Sequence, residues 1–169
     1  MTLAFLSIGS NLGGRISNCR RALLRLAEFR EIIIISKSCF YETDPWGGAS
    51  GGRFINCAAG IKTPLKPAEL LGLLKSVERE MGRIMTARFT SRVIDIDIIF
   101  YGDKTVHSRG LDIPHPSAHE RAFVLVPLAE IAPDYIHPVL GKDVRSLLGR
   151  VKDKDSVVGL DVLTPHAGR

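Results

Sequence analysis

The sequence predicts an α+β fold with a ferredoxin-like βαββαβ core. In it an antiparallel sheet carries both helices on one face, and a C-terminal extension covers the other. Three observations carry this prediction. Alternating and helically spaced segments follow in the order strand, helix, strand, strand, helix, strand. Gly and Pro cluster between those segments and punctuate them. The last of these strands, Arg92 to Tyr101, is an apolar run interrupted by two aspartates, Asp95 and Asp97.

Length and composition bound the reading. A chain of 169 residues is long enough for one domain, 1–169, with a real core. From about residue 150 the tail is mixed and charged, and its order is not set by the sequence. Hydrophobic residues at 45% and charged residues at 24% are ordinary for a globular chain. Cys19, Cys39 and Cys57 have no metal-binding spacing and read as reduced core fillers of a cytoplasmic protein. No apolar run reaches the length of a membrane span. A net charge of +5 suits an anionic ligand such as a nucleotide without requiring nucleic acid.

Thr2 to Ile8 is the first predicted strand. Gly9-Ser10-Asn11-Leu12-Gly13-Gly14 breaks it and lacks the Gly-Lys-Ser/Thr ending of a phosphate-cradling loop. A helix follows from Arg15, with Ile16, Cys19, Leu23, Leu26 and Ala27 at helical spacing. Glu31 to Glu42 reads as one strand, and 44–52 as a Gly-rich loop bearing Trp46. Arg53 to Thr63 is a third strand, with Phe54 and Asn56 on one face and Ile55, Cys57, Ala59 and Ile61 on the other. Pro67 opens a second helix striped by Leu70, Leu74, Val77 and Met81, and Gly82 stops it. Glu78 flanks that stripe. After the Arg92 strand, 111–116 reads as a proline-fixed loop. Ser117 and Glu120 have capping-box spacing, and Arg121 is expected on the short helix they open. Residues 123–133 pack as core, and 137–148 form the last ordered element.

The strand from Arg92 carries the chemistry. Strand alternation puts Val93, Asp95, Asp97 and Ile99 on one face, and Ile94, Ile96, Ile98 and Phe100 on the other. Two neighbouring carboxylates repel, and burying them unpaired is costly. They are either a solvated outer face or the ligands of a hard divalent cation. Asp is a poor strand residue, and arginines surround the pair, which weighs toward the cation. Phe54 beside Asn56 suits a flat, hydrogen-bonding heterocycle, or else ordinary sheet packing.

Together these positions resemble the 6-hydroxymethyl-7,8-dihydropterin pyrophosphokinases of folate biosynthesis. The shared positions are Gly9 to Leu12, Phe54-Ile55-Asn56, Glu78 with Gly82-Arg83, Arg92 to Asp97, Pro114-His115-Pro116, Arg121, Phe123 and Pro127. The resemblance implies transfer of the β,γ-diphosphoryl group of ATP to the hydroxymethyl oxygen of the pterin, releasing AMP. It implies two Mg²⁺ ions on Asp95 and Asp97, as in other paired-metal sites. It places the pterin between Phe54 and Phe123, its polar edge read by Asn56 and by backbone near Thr43, Asp44 and Trp46. ATP is met by Glu78, Arg83, Arg88, Arg92, His115 and Arg121, with Arg83 and Arg92 also serving catalysis. The loops 44–52 and 84–91 are expected to close over ATP, and a monomer is favoured. The chain departs from the family pattern in Phe89, where many members carry a tryptophan, and in lacking a second arginine just after Arg83. It also has Lys75, where some relatives have an amide. Two other classes fit these residues less well. An RNA-binding module lacks its paired sheet aromatics here, and its phosphates would be repelled by the Asp pair. A ligand-sensing domain leaves the Asp and Arg sets unexplained.

Overall fold

The computed structural model describes residues 1–45, 52–83 and 91–160. Among these residues eight strands and four α-helices follow in the order β1 (Thr2–Ser10), α1 (Arg15–Ala27), β2 (Ile33–Lys37), β3 (Phe40–Thr43), β4 (Phe54–Thr63), α2 (Pro67–Glu80), β5 (Asp95–Tyr101), β6 (Val106–Ser108), β7 (Leu111–Ile113), α3 (Ala122–Ile131), α4 (Val144–Leu148) and β8 (Val158–Leu160). β1 lies between β4 and β5 and is antiparallel to both. β4 pairs on its far side with β2 near one end and β3 near the other. This is a mixed fold of helices on an antiparallel sheet. No helix among the described residues is long and apolar enough to cross a membrane.

The sheet buries both faces. On one, α1 and α2 close a core of Leu6, Ile8, Leu26, Ile55, Ile61, Leu70, Leu74 and Ile96. Pro67 sits in the first turn of α2, where a missing N–H costs nothing. Glu69 accepts from the Lys66 N–H at 2.7 Å, and Gly82 leaves the helix with a φ of 92°. On the other face, α3 and α4 cover Phe5, Ala58, Ile99 and Phe100 with Leu125, Leu128 and Val144.

Several expectations are corrected. Phe100 does not share a face with Ile94, Ile96 and Ile98, and Ile99 joins it in the second core. A bulge explains this: Phe5 pairs with Phe100 but Leu6 pairs with Ile98, so Ile99 is the extra residue and alternation flips beyond it. The expected strand from Glu31 to Glu42 is two strands. Ser38 breaks it, bonding Ala58 through both its backbone and its hydroxyl, and Glu130 accepts from the Cys39 N–H. Cys39 is exposed, so only Cys19 and Cys57 fill the core. Leu111 to Ile113 is a strand paired with β6 rather than loop. Ser117 makes no side-chain cap, because 118–120 form only a single 3-10 turn, and Arg121 is the residue that precedes α3. Within the tail, Val158 to Leu160 pairs with β3.

Candidate active site

Gly9 is the hinge of the site's geometry. It pairs with Asn56 on β4 and with Asp95 on β5. A Cβ on Gly9 would lie 2.6 Å from Asn56 Oδ1, so any larger residue would have to displace that amide. Nothing in the local sequence signalled this role, since it depends on two distant strands meeting at one position.

Asn56 is 3% exposed and donates from Nδ2 to Thr43 Oγ1 at 2.7 Å. That bond leaves its Oδ1 as an acceptor. Phe54, half-buried, lies opposite Thr43 in the β3–β4 register. Three of the expected pterin residues therefore converge. Asp44 follows, and its carboxylate accepts from Arg53 Nε at 2.8 Å. Arg53 also pairs with Glu42 at 3.2 Å, and Glu42 with Arg15 at 2.9 Å, which ties the ends of β3 and β4 to the start of α1. Trp46, Arg88 and most of both expected lids lie outside the described residues.

Asp95 and Asp97 are half-buried on β5. Both oxygens of Asp95 are engaged: Oδ1 by Arg83 at 2.6 Å and Oδ2 by Arg92. Among the described residues Asp97 has no such clamp. Burial first, and then the charges of Asp95 and Glu78, push it up to about 6, against the pull of Lys75 and Arg83. Arg92 is in turn anchored to the end of β1. The Asn11 N–H donates to Arg92 O at 3.1 Å, and Asn11 Oδ1 accepts from the Arg92 N–H at 2.6 Å.

Glu78 lies beneath this strand at 1% exposure. Its Oε1 accepts from the Ile96 N–H at 2.7 Å and from Lys75 Nζ at 2.9 Å, and its Oε2 pairs with Arg83. The amide it holds is the one between the two aspartates. Helical spacing placed Glu78 beside the core but could not show that β5 runs over it. Lys75 completes the same cluster and stands 3.4 Å from Ile96 O.

His115 and Arg121 enter from the covering segment. The His115 N–H donates to Ile99 O at 3.1 Å, and His115 Nδ1 accepts from the Ser117 N–H at 3.3 Å. Burial, reinforced by Arg121, lowers its pKa, so the ring is neutral at pH 7 with its proton on Nε2. Burial also lowers Arg121, while Asp97 and Asp95 oppose that shift. The Arg121 guanidinium lies 5.7 Å from the centre of the Phe123 ring.

The donor set fits Mg²⁺. It offers hard carboxylate oxygens, one of them on an acid that burial and a like charge hold above its ordinary value. A divalent cation would relieve that repulsion. Among the described residues there is no group of three or more metal-binding side chains; a Mg²⁺ ion held by two carboxylates would take its other ligands from water and phosphate.

Known proteins resemble this chain. The family profile described as 7,8-dihydro-6-hydroxymethylpterin-pyrophosphokinase matches residues 5–133. The 2-amino-4-hydroxy-6-hydroxymethyldihydropteridine pyrophosphokinase of Methylorubrum extorquens is 41% identical over 89% of this chain and 94% of its own length. That of Aquifex aeolicus is 41% identical over 86% and 89%. The folic acid synthesis protein FOL1 of Dictyostelium discoideum is 44% identical, but this chain spans only 21% of it. Among solved structures, Plasmodium falciparum HPPK-DHPS with pteroate superposes with a TM-score of 0.74 at 18% identity, over 88% of this chain and 44% of that one. That likeness bears on the fold alone. The profile covers most of the chain, and the bacterial relatives are matched almost end to end; the chain belongs to the 7,8-dihydro-6-hydroxymethylpterin-pyrophosphokinase family.

Proposed function

We propose that Asp95 and Asp97 hold a pair of Mg²⁺ ions across which this enzyme transfers the β,γ-diphosphoryl group of ATP to the hydroxymethyl oxygen of 6-hydroxymethyl-7,8-dihydropterin, releasing AMP. The observation that carries this reading is the pairing of Gly9 with Asp95 on one side and Asn56 on the other. It sets a carboxylate pair beside Asn56 and Phe54, an amide and an aromatic ring of the kinds that suit a flat heterocycle. When bound, the metal ions would neutralise phosphate charge and lower the pKa of the attacking hydroxyl.

The remaining work falls to side chains. Diphosphoryl transfer needs the reactants aligned and the charge balanced, with little covalent help from protein. Arg83 and Arg92 both pair with Asp95. Their forked donors match phosphate oxygens, so we assign them to the ATP phosphates once the carboxylate takes a cation. Arg121 and the Nε2–H of His115 add donors from the covering side. Glu78 serves ATP from beneath, by setting Arg83 and the Ile96 amide, rather than by touching the nucleotide. Asn56 Oδ1 accepts from the pterin edge. Phe54 and Phe123 stack on its faces. We read the strand order as the ferredoxin-like core, with the chain from Val106 onward as the cover; the antiparallel pairing of β1 with β4 and β5 supports this. We also read 1–169 as one domain, supported by two cores that share one sheet.

Identifying the nucleotide product tests the assignment. With Mg²⁺, ATP and hydroxymethyldihydropterin, ³¹P spectra should show AMP and a pterin diphosphate. Formation of ADP would mean single phosphoryl transfer and contradict the reading. The stacking pair gives a second check. Phe54→Ala and Phe123→Ala should each weaken pterin binding by about 1–3 kcal/mol, the scale of a lost base–aromatic stack. Binding of an ATP analogue should change much less. Lower melting temperatures with unchanged pterin affinity would make both residues ordinary packing.

A further inference from the structure

α3 is apolar from Ala122 to Ile131 except for Glu130. Its buried residues join Phe5, Ala58, Ile99 and Phe100 in the second core. Apolar burial is non-directional, so it holds the helix on the sheet without fixing where along the sheet the helix rests. Glu130 supplies the fixed point. Both of its oxygens accept from the Cys39 N–H, at 3.1 and 2.9 Å, and Oε2 also accepts from the Tyr41 hydroxyl at 2.9 Å. Such bonds are directional, and those of a carboxylate are stronger than neutral ones. Burial first, and then Glu130, raises the pKa of Tyr41, so the hydroxyl keeps the proton it donates.

This tie reaches the residues assigned to the pterin through β3 and β4. Tyr41 pairs with Asn56, and Thr43 with Phe54. Residues directly opposite in an antiparallel pair share a face, so Asn56 lies on the face of the sheet that α3 covers. Phe54 and Ala58 flank Asn56 at alternate positions and share that face. Phe123, in the first turn of α3, packs against the same core as Ala58. It stands seven residues before Glu130, close to two helical turns, so both leave the helix on the same side. Pro127, between them, has no N–H to give the Phe123 carbonyl. The turn carrying Phe123 thus lacks a ladder bond and depends on how α3 as a whole is held.

We infer that Glu130 is a positioning residue for the pterin: by fixing α3 on β3 it sets the gap between the Phe123 ring and the Phe54–Asn56 face. This rests on the pterin reading above. Glu130 is itself exposed, so it acts on the register of the helix more than on the stability of the fold.

A double-mutant cycle with Phe123→Ala tests this, because only a residue acting through Phe123 loses its effect when that ring is gone. Each variant is titrated with hydroxymethyldihydropterin in the presence of a non-hydrolysable ATP analogue and Mg²⁺, and separately with the analogue alone, after melting curves confirm folded protein. Glu130→Ala should weaken pterin binding by about tenfold and analogue binding by less than about twofold. Glu130→Gln keeps an acceptor and should recover most of the loss. In the Phe123→Ala background, Glu130→Ala should cost less than about twofold. Tyr41→Phe removes one bond of the tie and carries the same cycle if Glu130→Ala does not fold, with an expected loss of about threefold. Unchanged pterin affinity in these variants, an equal loss of the analogue, or the same loss with and without the Phe123 ring overturns the inference. A wild type that binds no pterin, or Phe123→Ala that binds it normally, contradicts the pterin reading itself. Normal wild-type binding and weakened Phe123→Ala binding with an additive cycle remove Glu130 alone.

Discussion

Asp97→Asn is expected to abolish turnover and, in the same protein, to raise the stability of the ligand-free fold. The two effects have one cause. Asp97 is held up to about 6 from an ordinary 3.8, chiefly by burial and by the charge of Asp95. An acid raised on folding makes the folded chain bind more protons than the unfolded chain across that window. Ligand-free stability therefore falls as pH rises from about 4 to about 6, and the cost is fully present above that. Removing the charge should recover about 1–3 kcal/mol at pH 7, discounted for the partial exposure of the group. The same substitution leaves Asp95 as the only carboxylate of the pair, so the ATP phosphates lose their alignment and their neutralisation. The loss in kcat should be several kcal/mol of transition-state stabilisation, on the order of a lost metal clamp. Urea unfolding between pH 4 and 8 checks the first part: the wild type should lose stability across the window relative to Asp97→Asn. A variant that is less stable at pH 7, or one that turns over near the wild-type rate, contradicts the account.

Glu78→Ala should be the most destabilising substitution in the site, at about 3–5 kcal/mol. It leaves the Lys75 and Arg83 charges and the Ile96 N–H without the carboxylate that joins them. Removing one partner of a buried charged cluster costs more than the cluster's net worth, because the remaining groups stay desolvated. Glu78→Gln keeps an acceptor for Ile96 and should cost less. It should still lower turnover, since Arg83 loses one of its two anchors. Chemical denaturation of both variants, with kcat and KM measured on the folded fraction, separates the two contributions. If Glu78→Ala were as stable as the wild type, the cluster would not tie α2 to β5.

Much of this was legible in the sequence where local chemistry decides it. The alternation around Asp95 and Asp97 gave the strand and its two acids, and Pro67 and Gly82 marked the ends of α2 closely. The motif positions also named the residues that the fold brings together around Gly9. Long-range geometry was not legible. The bulge at Ile99 reverses the face of Phe100, and no local pattern announces an extra residue in a continuous apolar run. The break at Ser38 depends on Ala58 and Glu130, twenty and more than ninety residues away in sequence. Glu78 read as a flanking acid because helical spacing reports a helix's own faces and not the strand laid across them. The hold of Asn11 on Arg92 needed two distant segments to meet.

The central claim is that the carboxylates of β5 hold the cations used in transfer. Mn²⁺ binding, followed by electron paramagnetic resonance with a non-hydrolysable ATP analogue and the pterin present, tests it most directly. The wild type should bind a pair of Mn²⁺ ions per chain, and Asp97→Asn should lose at least one of them while remaining folded. Retention of both ions in Asp97→Asn would contradict it.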